Sequence, residues 1–203
     1  MRRYHIQPLL VPPVLLAVIV LVAALLGSCT WPPSPTEPPF VGGDSLTVQT
    51  AITEGALPQG WDVVSNLGWQ AENVQPKLTE RVTDRTRSPG RVVFALGQND
   101  GGNGFDATDA LQLTQLAETP HGDACIRWLL PHYAGTDPTH INGIQAVRDW
   151  ITVYAAARGQ GTFDWRPIAQ AHPEYVDTDG IHLTPTGRLA YGQLIQEAMA
   201  SCG

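Results

Sequence analysis

Ser45 stands in Phe40-Val41-Gly42-Gly43-Asp44-Ser45-Leu46-Thr47, where a short apolar run gives way to two glycines and then to a helix start. Glycines there let the backbone turn sharply and approach a ligand closely. Asp44 is a good N-cap, and Ser45 would sit where helix N–H groups favour developing negative charge. A hydroxyl so placed is a candidate nucleophile whose own N–H can help hold an oxyanion. Far along the chain, Asp177-Thr178-Asp179-Gly180-Ile181-His182 puts a carboxylate three residues before an imidazole. His182 is suited to take the Ser45 proton, with Asp179 fixing the tautomer through the other ring nitrogen. Gly97-Gln98-Asn99-Asp100 offers the Asn99 amide, and Asn66-Leu67-Gly68-Trp69-Gln70-Ala71 offers the Gly68 N–H, as oxyanion donors. Each piece alone has an ordinary reading: a capped turn, an Asp-Gly turn, an Asn-bearing strand end. The set together is what acyl transfer requires.

Such a site needs a scaffold that brings four distant segments to one edge. From residue 40 the pattern alternates short apolar runs with helical periodicity. Strands are expected at Phe40–Gly42, Trp61–Asn66, Arg91–Leu96, Cys125–Leu130 and Thr162–Trp165. Helices are expected at about Leu46–Glu54, Val74–Asp84, Ala107–Ala117, Ile141–Ala157 and Thr184–Ala200. In the fourth helix Ile144, Val147, Ile151 and Tyr154 fall on one face. Short apolar strands separated by helices imply a parallel sheet covered on both sides. Sites in such α/β sheets form outside the carboxyl ends of the strands, where all four segments lie.

These motifs resemble the SGNH, or GDSL, hydrolase superfamily. Gly43-Asp44-Ser45-Leu46 is similar to its first block, Gly97-Gln98-Asn99-Asp100 to its third and Asp179-Gly180-Ile181-His182 to its fifth. The resemblance covers roughly residues 40 to 201. It implies an α/β flavodoxin-like three-layer sandwich with sheet order 2-1-3-4-5, and Ser45, His182 and Asp179 as the triad. In many members the second block carries an Asn followed five residues later by the oxyanion glycine. From Asn66 that spacing lands on Ala71, so Ala71 stands beside Gly68 as a possible backbone donor. A narrower resemblance joins Leu67-Gly68-Trp69-Gln70, Asp164-Trp165 and His172-Pro173-Glu174-Tyr175 to the extracytoplasmic domain of bacterial peptidoglycan O-acetyltransferases, and favours Gly68. There the domain is fused to a multi-span part that delivers acetyl groups. The 203 residues hold no such part, so transfer would need a separate membrane acyl donor. Hydrolysis would not.

The expected activity is therefore a serine esterase cleaving O-acyl, especially O-acetyl, esters of an envelope glycan or glycolipid. O-acetyl transfer is its alternative, and a non-catalytic glycan-binding module is the rival from another class. Trp69 and Gln70 beside the oxyanion loop are candidate sugar contacts, although an indole there equally suits packing. His132 and His140 flank Gly135-Thr136-Asp137-Pro138, but their spacing makes a poor metal site, and no metal is expected. His172 is expected to order the loop before the triad. No phosphate loop, cofactor fingerprint or paired-cysteine metal motif occurs, so no cofactor is expected.

Composition and the amino terminus bound the setting. With 43% hydrophobic residues the chain can build a sizeable core, and a formal charge of −7 argues against nucleic-acid binding. Without residues 1–28, which hold Arg2 and Arg3 and no acid, 10 basic side chains face 19 acidic ones, a charge of −9. Val14 to Leu26 is a 13-residue apolar run, short for a membrane span and right for a signal-peptide core. It ends in Leu26-Gly27-Ser28-Cys29, which resembles a lipobox with Cys29 as the lipidated residue. An ordinary cleaved signal and a retained anchor are the alternatives. All three place the domain, residues 40–203, outside the cytoplasm. Residues 29–39 form a proline-rich stalk. Cys125 and Cys202 are then an even pair in an oxidising compartment. One begins a strand and the other follows the last helix, so both belong at the end of the sheet away from the chemistry. A disulfide is expected, two unrelated thiols being the alternative.

Overall fold

The computed structural model describes residues 38–83, 89–102 and 104–202. The expectations for residues 1–28, for Cys29 and for nearly all of the stalk lie outside them. Five strands, β1 (Phe40–Gly43), β2 (Asp62–Ser65), β3 (Arg91–Ala95), β4 (Cys125–Leu130) and β5 (Gly161–Asp164), form one sheet of order β2-β1-β3-β4-β5. Every pair is parallel, with Val41 opposite Val63 and Val93, and Trp128 opposite Phe94 and Thr162. This is the α/β topology implied by the motifs.

The connecting helices are α1 (Ser45–Ala51), α2 (Ala71–Thr83), α3 (Gln98–Gly102), α4 (Ala107–Glu118), α5 (Pro138–Ala157), α6 (Arg166–Ala171) and α7 (Pro185–Ala200). Strand alternation divides the core in two. Phe40, Val92, Phe94, Ile126 and Trp128 meet Val74, Leu78, Leu113, Leu116, Val147 and Ile151 from α2, α4 and α5. Val41, Val93, Ala95 and Leu129 meet Leu46, Tyr191, Leu194 and Ile195 from α1 and α7. The face expected on α5 is the buried one, Ile144, Val147, Ile151 and Tyr154 all being inside. A buried Arg148 on the same helix donates to Pro131 O and grips Asp164 with both terminal nitrogens, Nη1 and Nη2 (2.9 and 2.7 Å), joining α5 to the ends of β4 and β5.

Two helices differ from the sequence-based expectation. Gly97-Gln98-Asn99-Asp100 reads as a strand end turning on Asn99, yet Gln98–Gly102 is helical, held by tertiary packing: Gly101 and Gly143 of α5 are so close that a Cβ on either would strike the other's backbone. Arg166–Ala171 opens on Pro167 at the second helical position, a start signal hidden by its six-residue length. Cys125 and Cys202 form a disulfide, with Cα atoms 5.7 Å apart, between the start of β4 and the chain after α7. Among the described residues no helix is long and apolar enough to cross a membrane.

Candidate active site

β1 delivers the serine. Its last residue, Gly43, lies under Thr47, whose side-chain atoms would sit 2.0–2.7 Å from any added Cβ, so only glycine lets α1 start this close to the strand. Asp44 caps the helix, its carboxylate accepting the Leu46 N–H at 3.1 Å, and Thr47 Oγ1 donates to Ala95 O at 3.0 Å, pinning α1 to the end of β3. Ser45, the first residue of α1, is 5% exposed. Its N–H is one of the helix-initial donors that intrahelical bonding cannot use.

The turn before α7 holds the imidazole. Asp179 Oδ2 lies 2.6 Å from His182 Nδ1, while Asp179 Oδ1 accepts the N–H groups of Ile181 and His182, both at 2.9 Å. Gly180, at φ +74°, packs so tightly on the β4–α5 loop that a Cβ would lie 2.5 Å from Gly135 N; its carbonyl accepts Ala134 N–H. The turn closes with Asp177 N–H on His182 O and a bridge between Val176 and Leu183. It also reaches the serine helix. Gln49, one turn after Ser45 on the same face of α1, accepts the Leu183 N–H through its side-chain oxygen at 3.1 Å. Leu46 and Leu183, the neighbours of Ser45 and His182, are buried in one cluster.

The second and third blocks are braced against each other. Asn99 Nδ2 donates to Trp69 O (3.0 Å), Gln70 Nε2 donates to Asn99 O (3.3 Å), and Ala71 N–H donates to Asp100 Oδ1 (3.0 Å). The Asn99 amide has a second hydrogen that this bond does not use. Gly68, exposed and at φ +71°, has an N–H without a partner among the described residues. Ala71 is different. Its N–H is committed to a buried carboxyl at the start of α2, which corrects the reading of Ala71 as a stand-in for Gly68. Trp69 is half-buried against the core under β1 and β3, and the Gln70 amide is engaged as a brace, so both serve the loop before any sugar.

Electrostatics separate the carboxyls. Burial works upward on Asp179, but the His182 hydrogen bond and the two N–H groups outweigh it and hold the group below the usual carboxylate range. Asp44 and Asp100, each 1% exposed, go the other way: burial raises Asp44 to about 7, with Asp100 adding to it, and raises Asp100 to about 6. His132 is driven down to about 4 by burial and by Arg166 and Arg148. His140 is 3.2 Å from Asp137 Oδ2 and tilted against Tyr133. Among the described residues no three His, Cys, Asp or Glu side chains gather as a metal site. His172 pairs with Glu174 (3.0 Å) and stacks on Tyr175, whose carbonyl accepts Thr184 N–H beside the Asp179–His182 turn. Sequence reasoning missed Gln49 and Asp100. The first was legible as a polar residue four after Ser45; the second was hidden inside the third block.

No family model matches the chain, and no curated protein does. Solved structures do. The C-terminal catalytic domain of Streptococcus pneumoniae peptidoglycan O-acetyltransferase A, solved as a methylsulfonyl adduct, superposes with a TM-score of 0.68 at 18% identity, covering 82% of this chain and 94% of that domain. The chain has the fold of the SGNH hydrolases. A GDSL-like lipase from Bacteroides thetaiotaomicron gives 0.69 at 17% identity over 91% of this chain and 98% of its own. A lipase/acylhydrolase from Enterococcus faecalis gives 0.62 at 20% over 81% and 96%. Within this SGNH fold the three sequence motifs occupy the carboxyl edge of the sheet.

Proposed function

We propose that the chain is an extracytoplasmic serine esterase of the SGNH type, acting on O-acyl esters, O-acetyl above all, of an envelope glycan or glycolipid. The observation that carries the reading is the Asp179–His182 pair, oriented by three hydrogen bonds in a turn bonded through Gln49 to the helix that Ser45 begins. Ser45 Oγ attacks the ester carbonyl carbon while His182 Nε2 takes its proton. The carbonyl electron pair moves onto oxygen, met by the N–H groups of Ser45 and Gly68 and the Asn99 amide. Collapse breaks the ester bond, and the imidazolium protonates the departing alcohol. Water or another hydroxyl then resolves the acyl-enzyme by the reverse steps. The envelope setting rests on the apolar run and Leu26-Gly27-Ser28-Cys29, which would tether the domain through its N-terminus.

An organophosphonate probe tests the core of this. Labelling at Ser45, absent in Ser45→Ala, is expected; no labelling under any condition would favour a glycan-binding module instead. Transfer is the second reading, supported by the likeness to the O-acetyltransferase domain and needing a membrane acyl-donor partner. Incubating the domain with a reporter acetyl ester and a glycan acceptor separates the two. Free acetate alone is expected for an esterase, and acetylated glycan for a transferase.

A further inference from the structure

The loop that would present Gly68 has little to hold it. Asn66, Leu67 and Gly68 are exposed, Leu67 by 66%, and Asn66 spends its side chain on Leu67 N–H within the loop. A backbone donor is useful only if it is fixed before the reaction, because reorienting it in the transition state forfeits the gain. The loop is fixed at its far end, where it becomes α2. There Asn73 Oδ1 accepts Gln70 N–H (2.9 Å), and Asp100 reaches across from α3 to accept Ala71 N–H. Asp100 thus caps a 13-residue helix that is not its own, with its charge at the helix end that favours it.

Stability alone does not account for this residue. Asp100 is 1% exposed, and its Oδ2 has no partner among the described residues. Burial pushes its pKa up to about 6, with the charges of Asp109 and Glu72 adding, and its own charge helps to raise Asp44. A half-satisfied buried carboxyl is costlier than an apolar side chain of like volume. Its neighbour Asn99 is bonded to the same loop at Trp69 O. Consecutive residues of α3 therefore hold the loop two residues apart.

We propose that Asp100 is a positioning residue for the oxyanion hole: its bond to Ala71 N–H sets where the Gly68 N–H points, and so governs the chemical step rather than substrate affinity. The role rests on the reading of Ser45 as the nucleophile. The test compares Asp100→Ala, Asp100→Asn and Ala71→Pro, with kcat corrected for the fraction of sites that the phosphonate titrates. Proline suits the first helical position, so Ala71→Pro deletes the donor while leaving α2 able to form. Asp100→Ala and Ala71→Pro should each lower kcat at least tenfold with KM within about twofold, and the double variant should lose no more than either single. Asp100→Asn, which keeps an acceptor oxygen, should stay within about threefold of wild type. Amide hydrogen exchange over residues 66–71 should quicken in Asp100→Ala and not in Asp100→Asn. If Asp100→Ala folds poorly, Ala71→Pro reads the same bond from its other partner. Unchanged kcat per titrated site together with unchanged exchange, or additive losses in the double variant, would overturn the proposal. A wild-type protein that takes no phosphonate would instead sink the esterase reading, and hydrogen exchange alone would still decide what Asp100 holds.

Discussion

Asp179 uses both of its oxygens, one on the imidazole and one on two backbone N–H groups, although nearly half of its side chain is exposed. Orientation here comes from hydrogen bonds, since burial is too slight to supply it. Asp179→Asn exposes the difference between shape and charge. If the amide oxygen keeps the two backbone bonds, the amide nitrogen faces His182 Nδ1 and donates to it. The proton is then forced onto Nε2, and the base for Ser45 is lost. Turnover should fall by roughly 10²–10⁴ with the unfolding midpoint little changed; steady-state ester hydrolysis beside thermal denaturation would check both. Asn99→Ala removes the proposed oxyanion donor and the Trp69 brace together, so kcat should drop by at least about 10²-fold, with KM nearly constant. A loss confined to KM would take Asn99 out of the oxyanion role.

At the scale of elements, the sequence carried what periodicity and turn chemistry encode. The α5 face, the Cys125–Leu130 strand and the glycine-gated start of α1 were all readable, because each depends on neighbours along the chain. α3 was not readable. Its glycines lower helix propensity, and what makes it helical is contact with Gly143, more than 40 residues away. The commitment of Ala71 N–H was hidden for the same reason, its acceptor lying in another block. The cysteine pair was legible because strand and helix polarity put both residues at the edge of the sheet opposite Ser45. That polarity gives a prediction. Closing a 77-residue separation constrains the unfolded chain by about 4.5 kcal/mol on the loop-entropy model. Cys125→Ser with Cys202→Ser should therefore lower the urea midpoint substantially and leave kcat of the folded fraction unchanged.

Across the whole molecule, the site imposes a pH dependence on folding. Several carboxyls outside it, Asp164 gripped by Arg148 and Glu174 beside His172 among them, are held low. Such groups contribute stability above their unfolded pKa and lose it as acid protonates them. Asp44 acts in the opposite sense. Burial, with the charge of Asp100 adding to it, raises its pKa to about 7, so the native state retains a proton that the unfolded chain has already released. Stability from this group is full below about pH 4 and declines as pH rises toward 7, where the carboxylate must ionise in its buried place. A tenfold difference in proton affinity between the folded and unfolded chain is worth about 1.4 kcal/mol, so a rise of about three such steps makes the decline about 4 kcal/mol. Asn caps a helix as well as Asp does, so Asp44→Asn keeps the bond to Leu46 N–H and deletes the titration. Urea unfolding at pH 5 and pH 8 reads the effect of Asp44 together with its coupling to Asp100, because groups that do not interact with Asp44 cancel between the two proteins. Relative to wild type, Asp44→Asn should gain stability at pH 8 beyond any difference at pH 5. An equal change in stability at both values would mean that Asp44 ionises in the native state as freely as in the unfolded one.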